Sequence, residues 1–217
     1  EPAAKTVMPL FSDTLPDLLD RPKTLSPSDL GGAKIMASET YTDASDLALA
    51  WGHIIHLLLE VLPETDPMMR LGTAEGLAKN HPDAGLIPNI GQLIEEALGT
   101  LDASNLSWIF EAGLAEVPIS ATLPSLGLDR MFGIIDRLII TDTDVIAVDF
   151  KSNRVVPEIP EKTPLGLARQ MAAYRDALKQ IYPNHRIRTV LLWTKTGTTT
   201  ELPDAMLDVA LIGVTTP

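Results

Sequence analysis

Two neighbouring apolar segments, residues 133–140 and 145–151, constrain the fold most, because each carries charges that a buried strand would not choose. Both are rich in Ile, Val and Leu, and side chains along a β-strand alternate between its two faces. This alternation places Asp136 on one face of the first strand, together with Ile134, Leu138 and Ile140. It places Asp149 and Lys151 together on one face of the second strand. The pattern predicts a hairpin that can bring two carboxylates and an ammonium group to one face.

The length of the connecting loop decides whether these charges meet, since a shift of one residue moves every side chain to the opposite face. A four-residue loop, residues 141–144, sets Asp136 directly opposite Asp149. A two-residue loop sets Asp136 opposite Lys151, whereas an odd loop without a bulge separates the charges. We therefore expect a loop with an even number of residues.

The chemistry of the three charges follows from their spacing. Directly opposed residues have Cβ atoms about 5 Å apart, and two carboxylates that close repel each other unless a cation or a proton lies between them. Oxygen ligands favour Mg²⁺, with Mn²⁺ as a substitute, over a soft metal. Lys151 would place a positive charge against a phosphate oxygen or an attacking water. The pattern favours phosphodiester hydrolysis, and a surface hairpin with solvated charges is the alternative.

The overall charge opposes this interpretation, because 17 basic and 29 acidic residues give −12, whereas nucleic-acid-binding proteins are usually basic. DNA contact would then be confined to a metal-containing groove, or a larger polypeptide or a partner would supply the phosphate-binding surface. The lack of cysteine excludes disulfides and thiolate metal sites. The sequence shows no secretory signal and no run of about 18 apolar residues, so we expect a cytoplasmic protein without a membrane segment.

The order of predicted elements indicates two parts. Residues 1–27 are rich in Pro, Asp and Thr, and we expect them to be an extended linker from a longer chain. Residues 28–217 are expected to form one α/β domain with a mixed central sheet flanked by helices, and with additional helices on its N-terminal side.

Periodicity and breaker residues predict the elements of this domain. Apolar residues at helical spacing predict long helices over 43–62 and 164–182. An edge strand is expected over 114–123, because it contains Pro118, and an interior strand over 188–195. Three shorter helices are predicted at about residues 68–80, 90–99 and 104–110.

Further candidate site residues lie on two helices and on the edge strand. His56 on the first helix is a candidate metal ligand and is preferred over His53. Gln170 and Tyr174 are one turn apart on the last long helix, so both can reach one patch. Glu116 projects from the edge strand. Ordinary packing or solvation is the alternative for each.

Taken together, five ordered motifs resemble the RecB-type nuclease domain of the PD-(D/E)xK superfamily, and most of all the C-terminal nuclease domain of AddA-type helicase–nuclease subunits. The resemblance runs from Leu25 to Pro203, and Trp51 departs from it because a basic residue is expected before the glycine. The motifs are GHIIHLLLE (52–60), AEVPI (115–119), GIIDRL (133–138), VDFKSN (148–153) and QMAAY (170–174).

The resemblance implies a restriction-endonuclease-like fold and a Mg²⁺-dependent DNA exonuclease that cuts unwound single strands during double-strand-break repair. It implies that Lys151 orients water and stabilises phosphate charge, and that Gln170 and Tyr174 support the site and the DNA strand. Glu116 would bind or tune the metal. The implied metal ligands are His56, Asp136, Asp149 and the Phe150 carbonyl.

The resemblance also implies partners. These are DNA, the helicase portion of the same polypeptide and an AddB-type second subunit. The sequence has no Walker A run with GK[ST], so the motor that would make the exonuclease ATP-dependent would lie outside these residues. The alternative from another functional class is a catalytically silent module of the same fold that docks to a partner subunit or to DNA.

Overall fold

A computed structural model of the chain describes residues 24–36, 46–127 and 130–214. Most of the expected linker, and the first residues of the predicted helix over 43–62, lie outside these ranges. The described helices confirm both long predictions and the three shorter ones, with ends shifted by a few residues. They are α1 (Asp46–Val61), α2 (Arg70–Asn80), α3 (Ile90–Asp102), α4 (Ser107–Ala112), α5 (Leu165–Ile181) and a short α6 (Asp204–Ala210).

The described strands form one mixed sheet, as expected for this fold class. Its order is β1-β3-β4-β5-β6, and β2 pairs with β3 alone. The edge position predicted for the strand with Pro118 and the interior position of β5 are both confirmed. The strands are β1 (Thr24–Leu25), β2 (Leu114–Thr122), β3 (Arg130–Ile140), β4 (Asp144–Lys151), β5 (Arg186–Trp193) and β6 (Thr198–Glu201).

The register of the β3–β4 hairpin confirms the four-residue loop. Ile140 pairs with Val145, and the antiparallel pairing continues to Arg137 opposite Val148. In the loop, Thr141 donates its backbone N–H to the carbonyl of Asp144 at 2.9 Å. Extending this register by one residue sets Asp136 opposite Asp149, as the even loop requires.

Helices cover both faces of the sheet. On one face α5 and α6 pack against alternate strand residues such as Val145 and Ala147. On the other face α1, α3 and α4 pack against Ile146, Val148 and Phe150. The alternation predicted for the second strand is therefore confirmed.

The predicted alternation of side chains along the first strand, β3, is wrong at one place. Ile135 and Leu138, three residues apart, pack in the same core cluster beside α5. Ile134 and Ile140, which were expected on the same face as Leu138, are largely exposed. The break falls at Asp136, where β3 changes its pairing partners.

Helix α1 and the turn that follows it, Asp46–Glu64, are long and apolar enough to cross a membrane, with a mean hydropathy of 1.3 in the best window. Length and composition alone are weak evidence, because the core helix of a globular domain has the same properties. Ile54, Ile55, Leu58 and Leu59 on this helix are buried against the sheet and α3.

Candidate metal centre

The candidate site lies where β3 and β4 separate. Strand β2 pairs with β3 along residues 130–138, while β4 pairs with it only over 137–140 and β1 only over 130–131. A gap without a strand neighbour therefore remains on one edge of β3, and side chains occupy it. Asp136 Oδ2 accepts the backbone N–H of Phe150 at 2.5 Å, and the Tyr174 hydroxyl donates to the Ile134 carbonyl at 2.6 Å.

His56 reaches this gap from α1. Its Nδ1 lies 3.3 Å from Asp136 Oδ1, and its Nε2 donates to the Phe150 carbonyl at 3.2 Å. Burial acts to lower the pKa of His56, but the Asp136 carboxylate outweighs burial and raises it above its ordinary value. Burial likewise acts to raise the pKa of Asp136, yet His56 beside it holds that pKa below its usual range. Each of the two residues therefore favours the charged form of the other.

Asp149 lies on the α5 side of β4, as the alternation requires. Its Oδ1 accepts from the Gln170 side-chain amide at 2.7 Å, and its Oδ2 contacts the Lys151 ammonium. That contact is an ion pair without good hydrogen-bond geometry, so buried Oδ2 has no hydrogen-bond donor within the described residues. Burial raises the pKa of Asp149.

Glu116 enters the site through an unusual backbone conformation. It is the one described non-glycine residue with a positive φ, +48°, and it lies in β2 at the position that the register sets beside Asp136. Burial and the Asp136 charge raise its pKa. A non-glycine residue in this region is strained by about 1–3 kcal/mol, and such strain concentrates at functional sites.

These residues fit a divalent cation. One ligand atom each from His56, Glu116 and Asp136 lie within 4.8 Å of one another. The Phe150 carbonyl contacts His56, and Asp149, one oxygen of which contacts Lys151, lies close enough for its charge to interact with Asp136 and His56. The donor set is mainly oxygen with one imidazole nitrogen, which suits Mg²⁺ or Mn²⁺.

A cavity of about 450 Å³ opens this centre to the surface. One wall is α1, along which Ala48, Gly52 and His56 follow one another at intervals of one turn. The opposite wall is the end of β4 with Ser152 and Asn153. An extended substrate can therefore approach the ligands along the side of α1.

The structure brings together all of the predicted site residues, although it does not test their roles. His56, Glu116 and Asp136 form the closest group, and Asp149, Lys151 and Gln170 form a second one beside it. His53 lines the cavity but is not part of the ligand group, and its Nδ1 is 2.8 Å from Asp83 at the protein surface. Trp51 also points away, since its indole donates to Glu96 at 3.0 Å and its ring faces the Lys195 ammonium at 4.0 Å.

Arg137 was not predicted to belong to this region. It follows Asp136 directly, and only 1 % of its surface is exposed. The signal was present, because Arg137 is a fourth charge inside the two apolar segments.

Comparisons with known proteins identify one family. The profile of the PD-(D/E)XK nuclease superfamily matches residues 32–206. The search of curated proteins found no match. One solved structure, described as the crystal structure of SSO0001, matches with 13 % identity, a TM-score of 0.34 and coverage of 82 % of this chain and 89 % of that one.

Proposed function

Because the chain belongs to the PD-(D/E)XK nuclease superfamily, we propose that it is a divalent-metal-dependent deoxyribonuclease that hydrolyses phosphodiester bonds at the centre described above. The single observation that carries this proposal is the convergence of His56, Glu116 and Asp136 beside the Asp149–Lys151 pair. A silent module would have no reason to keep three buried or half-buried acids next to one another.

The chain's own residues have distinct tasks in this proposal. His56, Asp136, Asp149 and the Phe150 carbonyl would hold Mg²⁺, with Glu116 as a further ligand or as a group that tunes the ion. When bound, the ion supplies charge stabilisation and a more acidic water. Lys151, only 17 % of whose side chain is exposed, would hold a phosphate oxygen or the attacking water.

Gln170 and Tyr174 would keep this arrangement rigid. Gln170 fixes one oxygen of Asp149, and the other oxygen, which contacts Lys151, would be the one available to an ion. Tyr174 binds the Ile134 carbonyl and so holds β3 at the gap. Both side chains come from α5, the helix that packs against the sheet beneath the site.

We further propose that the activity is that of an exonuclease domain in a cytoplasmic repair helicase–nuclease, which receives single strands from an attached helicase and works with an AddB-type subunit. The motif resemblance supports this context. The net charge of −12 also supports it, since an acidic chain captures DNA poorly and benefits from a partner that delivers the strand.

The test is cleavage of single-stranded and double-stranded DNA with Mg²⁺, with Mn²⁺ and with chelator. Asp149→Asn and Lys151→Met should each lower cleavage by about 10²–10³-fold, because each removes one charge from the reacting centre. Asp142→Asn is the matched control, since Asp142 lies exposed on the loop of the same hairpin.

Two results would contradict the proposal. Folded Asp149→Asn and Lys151→Met proteins that cut as fast as the parent would place the site elsewhere. A parent that neither binds Mn²⁺ nor cuts any of these substrates would instead support the docking module.

A further inference from the structure

Arg137 is a buried cation whose neighbours are backbone carbonyls. Its Nη1 donates to the Gly113 carbonyl at 2.8 Å and its Nη2 donates to the Leu59 carbonyl at 3.0 Å. Its face lies over the Phe110 ring at 5.6 Å. The described residues give it no direct ion pair, although the charges of Glu64, Glu116 and Glu60 act on it and favour its charged form. A buried guanidinium without a direct ion pair has to be satisfied by other acceptors, because burying an unpaired charge is costly.

The Leu59 contact has a clear physical cause. In an α-helix the carbonyl of Leu59 would accept the N–H of residue 63, but that residue is Pro63, which has no N–H. Arg137 supplies the missing donor at the C-terminal end of α1. The last turn of α1 is thereby tied to β3.

The hydrogen bond to Gly113 joins a third element, β2, to the same guanidinium. Gly113 joins α4 to β2, the strand that carries Glu116. A Cβ at this position would collide with the Ile109 carbonyl and would lie 3.2 Å from Arg137 Cδ. Glycine at this position is required mainly by the Ile109 carbonyl, and it also leaves room for the Arg137 side chain.

These two hydrogen bonds lie next to the candidate ligands in the sequence. Leu59 is one turn after His56 on α1, Gly113 is three residues before Glu116, and Arg137 itself follows Asp136. One guanidinium therefore joins the three backbone segments that present the His56, Glu116 and Asp136 ligand group.

We propose that Arg137 is a positioning residue of the metal centre, which fixes α1 and β2 against β3 so that the three ligands face one another before an ion binds. This inference rests on the proposed function. Arg137 does not touch the ion or the substrate, and it acts through the placement of His56 and Glu116. Residues that orient ligands in this way typically contribute about 10–100-fold to metal affinity.

The experiment is a Mn²⁺ titration of the full chain, followed by the electron paramagnetic resonance signal of free Mn²⁺. Arg137→Met should bind Mn²⁺ about 10-fold more weakly or worse. Arg137→Lys should fall between this variant and the parent, because one ammonium cannot span both carbonyls in the fixed fork geometry of arginine. Asp136→Asn, which loses a ligand, is the reference for a damaged centre.

The matched control is Arg175→Met. Arg175 is also buried, but it pairs with Asp176, Asp204 and Asp208 and ties α5 to α6. Its loss should lower the melting temperature yet leave Mn²⁺ affinity within about twofold of the parent, because the sites are independent. A general loss of stability would therefore not reproduce the loss of Mn²⁺ affinity that is expected for Arg137→Met.

Two further measurements separate positioning from folding. In metal-free protein, hydrogen exchange at residues 56–60 should accelerate in Arg137→Met and not in Arg175→Met. In cleavage assays, Arg137→Lys should need more Mn²⁺ for half-maximal rate, while its rate at saturating Mn²⁺ should approach that of the parent.

The inference is overturned if folded Arg137→Met binds Mn²⁺ as tightly as the parent. If Arg137→Met does not fold, unchanged Mn²⁺ affinity in Arg137→Lys overturns it equally. A parent that binds no Mn²⁺ would overturn the proposed function, and this inference with it, whereas a parent that binds and unchanged variants would overturn this inference alone.

Discussion

The two halves of β3 differ in a way that explains the site. Residues 137–140 all pair with β4 on one edge, residues 137 and 138 also pair with β2 on the other, and Leu138 and Ile139 enter the two core clusters. Residues 132–136 have β2 on one edge and a gap on the other, and Phe132 and Ile134 are exposed. Residues 137–140, the paired half, are held by backbone pairing. Residues 132–136, the open half, are held by side chains on their free edge.

This difference shows where a ligand site can form in an apolar sheet. Where β3 and β4 pair, backbone groups satisfy one another and leave no room for a ligand. Where they separate, the freed groups of Phe150 and Ile134 meet Asp136, His56 and Tyr174 instead. Removing side chains should therefore damage stability in the paired half and metal binding in the open half.

The largest expected effect on stability lies in the paired half. Leu138→Ala should lower the free energy of unfolding by about 2–5 kcal/mol, because Leu138 is 3 % exposed and its loss leaves a cavity. Ile134→Ala in the open half should lower it by about 0.5 kcal/mol, since Ile134 is 44 % exposed. Urea unfolding measures the free energy of unfolding of both variants. Equal losses in the two variants would contradict the difference between the two halves of β3.

The next largest effect is the stabilisation of the protein by Mn²⁺ bound at the open half of β3. Mn²⁺ at about 100 times its Kd should stabilise the parent by about 2.7 kcal/mol, which is a rise in Tm of about 5–10 °C. Asp149→Asn should show little of this rise. Without metal, Asp149→Asn should melt at or above the parent at neutral pH, because burial raises the pKa of Asp149 and its charged form therefore destabilises the folded state there.

Scanning calorimetry with and without Mn²⁺ measures the Tm of both proteins. The parent should have the higher Tm with Mn²⁺, and Asp149→Asn should have an equal or higher Tm without it. The raised pKa means that Asp149 favours the fold while it is protonated, and that this contribution is lost as the pH rises through its folded-state pKa. A metal-free Asp149→Asn protein that melts far below the parent would show that the carboxylate is a structural group.

A smaller effect is expected at the hydroxyl that closes the gap. Tyr174→Phe should cost about 0.5–1.5 kcal/mol, because it removes one hydrogen bond to the Ile134 carbonyl and keeps the buried ring. Gly133 allows this contact, since a Cβ there would come within 3.0 Å of Tyr174 and 2.7 Å of Pro27. Urea unfolding measures the loss, and a cost near zero would mean that water replaces the hydroxyl.

The smallest effect isolates the strained backbone of Glu116. Glu116→Gly should be more stable than Glu116→Ala by up to about 1 kcal/mol, because only glycine adopts a φ of +48° without strain. Both variants lose the carboxylate, so their comparison removes its electrostatic contribution. If Ala is the more stable of the two, the positive φ is not a constraint of the fold.

Much of the paired half could be predicted from the sequence, because its rules are local. Alternation and loop length gave the register of the hairpin, and periodicity with Pro63 gave α1. The same alternation placed Asp149 and Lys151 on one side of β4, where they form an ion pair.

The open half was harder to predict, because its contacts join distant parts of the chain. Spacing alone could not show that His56 meets the Phe150 carbonyl, 94 positions away in the sequence, or that β3 loses its alternation at Asp136. The short elements β1, β6 and α6 were missed, because two to seven residues give too little periodicity. Arg137 stands out in the sequence as a charge in an apolar segment, but its contacts could not be predicted, because its partners are backbone carbonyls, which no residue pattern marks.

The domain boundary at residue 28 and the roles assigned to the site residues stay predictions. The most direct measurement of the central claim is a crystal structure of the chain with Mn²⁺, located by its anomalous scattering. We predict an ion in the gap between β3 and β4, about 2 Å from oxygens of Asp136 and Asp149, with His56 beside it. An ion found only elsewhere, or none in this gap at saturating Mn²⁺, would contradict the account.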